Sequence, residues 1–250
     1  KQCTLYLDTS GDALFKRGYR TASGEAPIRE NLAAGILSLA GWKPGMPLID
    51  PMCGSGTFLL EAAQIALNIA PGAKRHFAFE KFQHFDKILW NKIRETALTA
   101  QHTLSPQPIF GSDLYGYALS DAQDNLGAAG FTDVVTLKQA NTLEISAPAP
   151  QGILVTNLPY GVRIGELQSL SDLYPKLGDV LKNKFDGWNA YLFSADPALP
   201  KSIRLSASRR TPLFNGALEC RLLEYKIIVG SMRKPKIKQD TPEEPTSKVD

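Results

Sequence analysis

The sequence predicts an α/β protein: a mostly parallel sheet with helices on both faces. Three observations carry this. Short apolar runs alternate with amphipathic segments that stop at glycine, from residue 28 to residue 193. One run, 48–50, passes straight into a glycine turn (Gly54, Gly56) that opens a helix. Another, 153–156, is apolar or β-branched throughout, as a strand buried on both faces requires.

Residues 3–20 alternate apolar and polar positions around Ser10-Gly11-Asp12, which predicts a hairpin. Ile28, Leu32, Ile36, Leu37 and Leu39 share a helical stripe over 28–40, and Gly41 stops it. The first sheet strand is 48–50, and an Ala- and Leu-rich helix follows over 57–70. A second strand, 108–112, closes at Asp113, and the helix after it stops at Gly130. Third, fourth and fifth strands are expected at 134–138, 153–156 and 190–193, with a helix over 170–185. Strands at 203–207 and 222–229, about an Asn215-Gly216 turn, complete the set. No long helix joins this last pair, which leaves room for one of them to run antiparallel. Residues 1–45 thus lead into a main domain at 46–230, with an insertion at 71–106. From 231 to 250, large apolar residues nearly vanish among Pro, Lys, Glu and Thr, the composition of a disordered tail.

The 250 residues are 43% hydrophobic, enough for one large core, and the net charge of +3 defines no partner by itself. Cys3, Cys53 and Cys220 have neither metal-ligand spacing nor a disulfide framework, which fits a reducing, cytoplasmic compartment and no metal. No apolar run is long enough for a membrane span, and no secretory signal is visible. The chain starts at Lys1 inside a strand-like run, so it reads as a piece of a longer protein.

A glycine turn at a strand's carboxyl end offers bare N–H groups and close approach to a ligand. Asp50 stands directly before it, where a phosphate would be repelled, and the Walker pattern with its lysine is absent. The turn therefore suits a ligand with a cationic amine. Asp113 closes the second strand, 57 positions after Gly56, where a carboxylate takes both hydroxyls of a ribose or caps the following helix. The long gap is accounted for by the insertion. Ribose, amine and no phosphate together point to S-adenosylmethionine. Asn141, after the third strand, is placed either to meet an adenine edge or to make a turn.

The second motif is Asn157-Leu158-Pro159-Tyr160, following the buried fourth strand. Proline fixes its own backbone and extends the residue before it. The Asn157 oxygen and the next carbonyls are then fixed acceptors, with the flat face of Tyr160 beside them. That arrangement fits a planar substrate with an exocyclic amine. Acceptors orient the N–H groups and match the positive charge that develops on nitrogen. Taken alone, the motif also reads as a loop that merely ends a strand.

These motifs, DPMCGSGTFLLEAA (50–63) and NLPYG (157–161), resemble the class I methyltransferase domain of THUMP-linked RNA guanine methyltransferases. The likeness is strongest to bacterial enzymes acting on the guanine exocyclic amine of large-subunit (23S) ribosomal RNA. LDTSGDALFKRGYR (7–20), APIRENLAAGIL (26–37), FAFEKFQHFDKILWNKIRETA (77–97) and FNGALECRLLEY (214–225) resemble the same family. The resemblance covers roughly residues 4 to 230. It implies a Rossmann-like, seven-stranded sheet with an antiparallel final strand. It implies S-adenosylmethionine held by Asp50, Pro51, Met52, Cys53, Gly54, Ser55, Gly56, Thr57, Asp113, Leu114, Asn141, Thr142 and Asn157. It implies a substrate base at Asn157, Pro159 and Tyr160, and a THUMP domain upstream that supplies RNA affinity. Two positions depart from the family: Leu158 stands where proline is usual, and Asn141 where aspartate is usual.

Basic and aromatic residues interleave over 74–94, a composition that tracks RNA. Lys16, Arg17, Arg20, Lys74, Arg75 and Arg163 are the candidate phosphate contacts, with Arg209 and Arg210 behind them. Phe85, Ile88, Leu89 and Ile93 read instead as one helix face packed on the core. Competing functions are a DNA adenine-N6, tRNA guanine-N2 or protein glutamine methyltransferase, and a non-catalytic RNA-binding module.

Overall fold

The computed structural model describes residues 2–21, 27–159 and 164–228, with backbone alone over 164–171. Tyr160, Arg163 and the 231–250 tail lie outside the described residues.

Seven strands form one sheet: β1 (Leu48–Asp50), β2 (Ile109–Asp113), β3 (Thr136–Gln139), β4 (Gly152–Asn157), β5 (Trp188–Ser194), β6 (Arg209–Asn215) and β7 (Leu218–Lys226). Their order is β3-β2-β1-β4-β5-β7-β6. Strands β1 to β5 are mutually parallel, and β7 is antiparallel to both β5 and β6. The reversed strand is thus β7, as the resemblance implies. The helices are α1 (Glu30–Leu39), α2 (Thr57–Ala66), α3 (Lys87–Thr99), α4 (Gly116–Ala129), α5 (Ile164–Lys184) and the single turn α6 (Leu199–Ser202). Among the described residues no helix is long and apolar enough to cross a membrane.

Strand alternation divides the core in two. Leu48, Ile153, Val155, Tyr191, Phe193 and Leu222 face one cluster with α1, α2 and α4. Ile49, Leu154, Ala190, Leu192 and Leu223 face the other, with α5 and α6. Gly111 explains how closely α2 lies on the sheet: a Cβ there would collide with Leu59 of α2 and with Leu137. Helix α1 runs antiparallel to β6. Arg209, at the start of β6, donates to the Leu39 carbonyl (3.1 Å), and Asn215, at its end, accepts from the Arg29 N–H (3.4 Å). The N-terminus of α1 therefore lies at the carboxyl end of the parallel strands.

Three expectations fail. Residues 3–20 form no hairpin, and Leu5, Tyr6 and Leu7 are 91%, 92% and 74% exposed. Alternation there has no sheet to pair with; instead the Asp8 carboxylate accepts from the N–H groups of Ser10 and Gly11 and makes a local turn. The sixth strand is not 203–207 but Arg209–Asn215, whose Pro212 is tolerated because β6 is an edge. In α3, Ile88, Leu89 and Ile93 are 85%, 54% and 50% exposed rather than packed on the core. The aromatics Phe77, Phe79, Phe85 and Trp90 pack on one another instead.

Candidate active site

Asp50, Asp113 and Asn157 end β1, β2 and β4 and so converge on one end of the sheet, where open α/β folds bind ligands. Between β1 and α2 the chain turns through Gly54 (φ +52°) and Gly56 (φ +80°), conformations that favour glycine. A Cβ on Gly54 would meet nothing within 4 Å, so this glycine serves backbone shape and leaves open space above the turn. At Gly56 the added atom would sit 3.2 Å from the Ala122 Cβ, so α4 supports the turn from behind.

Asp113 fixes the turn. Its Oδ2 accepts from the Gly54 N–H (3.0 Å) and its Oδ1 from the Tyr115 N–H (3.1 Å). A carboxylate oxygen has a second lone pair, so both keep capacity for a ligand hydroxyl. Asp50 is 2% exposed and accepts from the Met52 N–H at 3.2 Å. Burial pushes its carboxyl up to about 7, and the charge of Asp113 adds to this; the Thr156 hydroxyl and the Met52 N–H act the other way.

The flanking residues make their own contacts within the protein. Pro51 is buried, and the Cys53 N–H bonds the Ser112 carbonyl (2.9 Å). Burial pushes the Cys53 thiol up, so it stays neutral. Met52 is half-buried and Leu114 is 51% exposed at the rim. The Ser55 carbonyl accepts from Asn125 (3.0 Å), and the Thr57 hydroxyl accepts from Arg20 (3.0 Å). Asn141 makes a turn: its Oδ1 accepts from the Leu143 N–H (3.0 Å). Next to it Thr142 is buried, its hydroxyl without a partner among the described residues.

At the end of β4 the Asn157 Oδ1 is buried and has no partner among the described residues. Leu158 is fully buried, and its N–H donates to the Phe193 carbonyl (2.9 Å), extending the β4–β5 ladder by one residue. A proline there would have no N–H to give, so this hydrogen bond depends on Leu158. Pro159 is exposed beyond it. Tyr160 lies outside the described residues.

Several predicted phosphate contacts are engaged inside the protein. Arg17 meets Glu61 through two hydrogen bonds (3.2 and 3.1 Å), and the Tyr19 hydroxyl donates to the same carboxylate (2.8 Å). Burial raises the Glu61 carboxyl, and Arg17 opposes that. Arg20 pairs with Glu30 at 2.9 Å. Arg75 donates to the carbonyls of Ser10, Asp12 and Ala13 and lies 4.8 Å from the Phe77 ring centroid. Lys16 (beside Asp12) and Lys74 are exposed. Arg163 lies outside the described residues. No sequence signal marks Asn125, a residue 1% exposed on α4 whose amide joins the Ser55 carbonyl to the Thr21 N–H (2.8 Å). Among the described residues no cluster of three or more His, Cys, Asp or Glu is arranged to hold a metal ion.

A 3-2-1-4-5-7-6 sheet with one reversed strand, a glycine turn after β1 and acids closing β1 and β2 defines a class I, Rossmann-like methyltransferase domain. A solved candidate methyltransferase, SMU.472, complexed with S-adenosylhomocysteine, superposes with a TM-score of 0.82 at 36% identity, covering 90% of this chain and 58% of that one. The family described as RMKL-like, methyltransferase domain, matches residues 17–224, and the chain belongs to that family. A candidate RNA methyltransferase of Synechocystis is 43% identical over 226 residues, 90% of this chain and 59% of the relative. The ribosomal RNA large subunit methyltransferase K/L of Shewanella frigidimarina is 39% identical over 249 residues, 98% of this chain. This chain spans only 34% of that relative's length.

Proposed function

We propose that this domain transfers a methyl group to the exocyclic N2 amine of a guanine in RNA, with large-subunit ribosomal RNA as substrate. The observation that carries the reading is the Asn157 Oδ1: a buried acceptor at the sheet's ligand-binding end, with no partner among the described residues. A buried acceptor without a donor costs about 1–3 kcal/mol, a penalty a substrate N–H would remove. The relatives' names support RNA as the polymer.

S-adenosylmethionine, when bound, supplies a methyl group on a sulfonium, already electrophilic. Asp50 would hold its ammonium, Asp113 its ribose hydroxyls and the bare Gly54 turn its closest approach. Asn157 does the work on the substrate side. The guanine amine is a poor nucleophile because its lone pair is delocalised into the ring. An amide oxygen accepting one N–H orients the nitrogen and favours its pyramidal form. As positive charge develops there, the same oxygen stabilises it. No strong base is required, because the N–H is acidic after transfer. Pro159 and, as the family implies, Tyr160 would frame the base. The nucleotide must be unstacked first, at a cost of a few kcal/mol if it lies in a helix.

The test offers methyl-labelled S-adenosylmethionine with deproteinised large-subunit rRNA, small-subunit rRNA, tRNA and DNA in separate reactions. Products are digested to nucleosides and separated. Label in N2-methylguanosine from large-subunit rRNA supports the reading. Label in methyladenine from DNA keeps the Asn157 geometry and overturns the substrate.

A further inference from the structure

A cavity of about 320 Å³ opens at the N-terminus of α1, outside the Asp50–Asp113–Asn157 cluster. Phe15, Arg20, Arg29, Glu30 and Asn215 line it. We propose that it is an RNA subsite that takes a nucleotide flanking the target base, with the Arg29 guanidinium as its phosphate contact. This rests on the RNA reading above.

Position is the first argument. The α1 N-terminus lies at the carboxyl end of the parallel strands, the same end as the candidate active site. Arg20, in the cavity wall, donates to the hydroxyl of Thr57, the residue that opens α2 directly after the glycine turn. The cavity and the turn are thus neighbours that share one guanidinium.

Charge is the second. Arg20 and Glu30 form a close pair at 2.9 Å and neutralise each other. Arg29 is exposed and makes no ion pair among the described residues, so the lining is left with one positive charge. A guanidinium without an ion-pair partner among the described residues suits a phosphate, which it meets with two parallel hydrogen bonds.

Preorganisation is the third. The Arg29 guanidinium carbon lies 4.9 Å from the Phe15 ring centroid, which restrains its plane. Its backbone N–H bonds the Asn215 Oδ1, and the Asn215 amide donates to the Pro27 carbonyl at 3.3 Å. The β6–β7 turn therefore holds the start of α1 in place. A Cβ on Gly216 would come within 3.1 Å of an Arg29 guanidinium nitrogen, so glycine at this turn leaves the guanidinium its room. The volume exceeds what one phosphate needs and falls at the small end for ligand pockets, the scale of a single nucleotide.

The experiment compares the wild type with Arg29→Ala and Arg29→Lys, reading three quantities. They are the KM for deproteinised large-subunit rRNA, the salt dependence of affinity for a fluorescein-labelled oligoribonucleotide, and the calorimetric Kd for S-adenosylmethionine. The expected result for Arg29→Ala is an rRNA KM raised about 5- to 10-fold and a log–log salt slope smaller by about one. Its cofactor Kd stays within twofold. Arg29→Lys should restore the slope but only part of the affinity, because the fork is lost. An unchanged rRNA KM and slope in Arg29→Ala would overturn the subsite while leaving the RNA reading intact. A weakened cofactor Kd with normal RNA affinity would assign the cavity to the cofactor site and overturn it too. A wild-type protein that neither binds nor methylates RNA would overturn the functional reading, and the subsite with it.

Discussion

Replacing Asp50 with Asn separates the stability of the empty site from its use. The native carboxyl is moved from its ordinary value of 3.8 to about 7, by burial above all. Between those values the folded protein binds a proton that the unfolded chain has released, so stability falls as pH rises through this window. At 1.36 kcal/mol for each unit of pKa, the ligand-free protein loses about 2 kcal/mol at pH 5 and about 4 kcal/mol at pH 8. Asn has nearly the shape of the neutral carboxyl and does not titrate. Asp50→Asn should therefore stabilise the cofactor-free protein, by about 2–3 kcal/mol more at pH 8 than at pH 5. Urea unfolding of both proteins at the two pH values reads the difference, and other groups cancel in it. Calorimetry on the same samples should show that the variant has lost most of its affinity for S-adenosylmethionine. Wild-type affinity should weaken as pH falls below about 7, because the ammonium needs the ionised carboxylate. A stability difference that is flat with pH would refute the reasoning, as would an Asn variant that binds the cofactor normally.

Three further outcomes follow from the geometry. Asn157→Ala should lower kcat by about 10²- to 10³-fold, the scale of removing one preorganised charge-stabilising group, while the cofactor Kd moves little; equal losses in both would make Asn157 a structural residue. Arg17→Met should destabilise the fold by about 3–5 kcal/mol by leaving the Glu61 carboxylate buried and unpaired, read by denaturant unfolding; a variant of normal stability whose RNA salt slope falls by about one would return Arg17 to the RNA surface. Leu158→Pro should cost about 1–3 kcal/mol through the orphaned Phe193 carbonyl and a lost buried side chain; a rise in melting temperature would show that loop stiffness dominates.

The sheet was readable where burial forces a pattern. β4 is enclosed on both faces, and its unbroken apolar run reports that directly. The glycine turn was readable because left-handed backbone at Gly54 and Gly56 excludes most other residues. Periodicity misled where no partner existed: residues 3–8 alternate like a strand but find no ladder. β6 was missed for the opposite reason, since Arg209, Arg210 and Pro212 look unlike strand residues yet suit an exposed edge. Asp50, Asp113 and Asn157 stood out by their place after strands. The engagement of Arg17, Arg20 and Arg75 with acids and carbonyls far along the chain could not be read, because a lone arginine in sequence carries no record of its partner. The Asn157 acceptor, without a partner among the described residues, likewise became visible only with the burial of its oxygen.

The segment from Arg17 to Thr21 reaches the first helices through Glu61, Glu30, Thr57 and Asn125. Residues 2–7 make no comparable attachment among the described residues. A protease should therefore meet two different materials within twenty residues. Chymotrypsin should clip at Leu5, Tyr6 or Leu7 within minutes, since those bonds are open without any unfolding. The bond after Tyr19 should survive until the whole domain opens, and its amides should exchange with deuterium only on that slower clock. The trimmed product should accordingly keep its catalytic half intact, and digestion offers a way to prepare it without recloning.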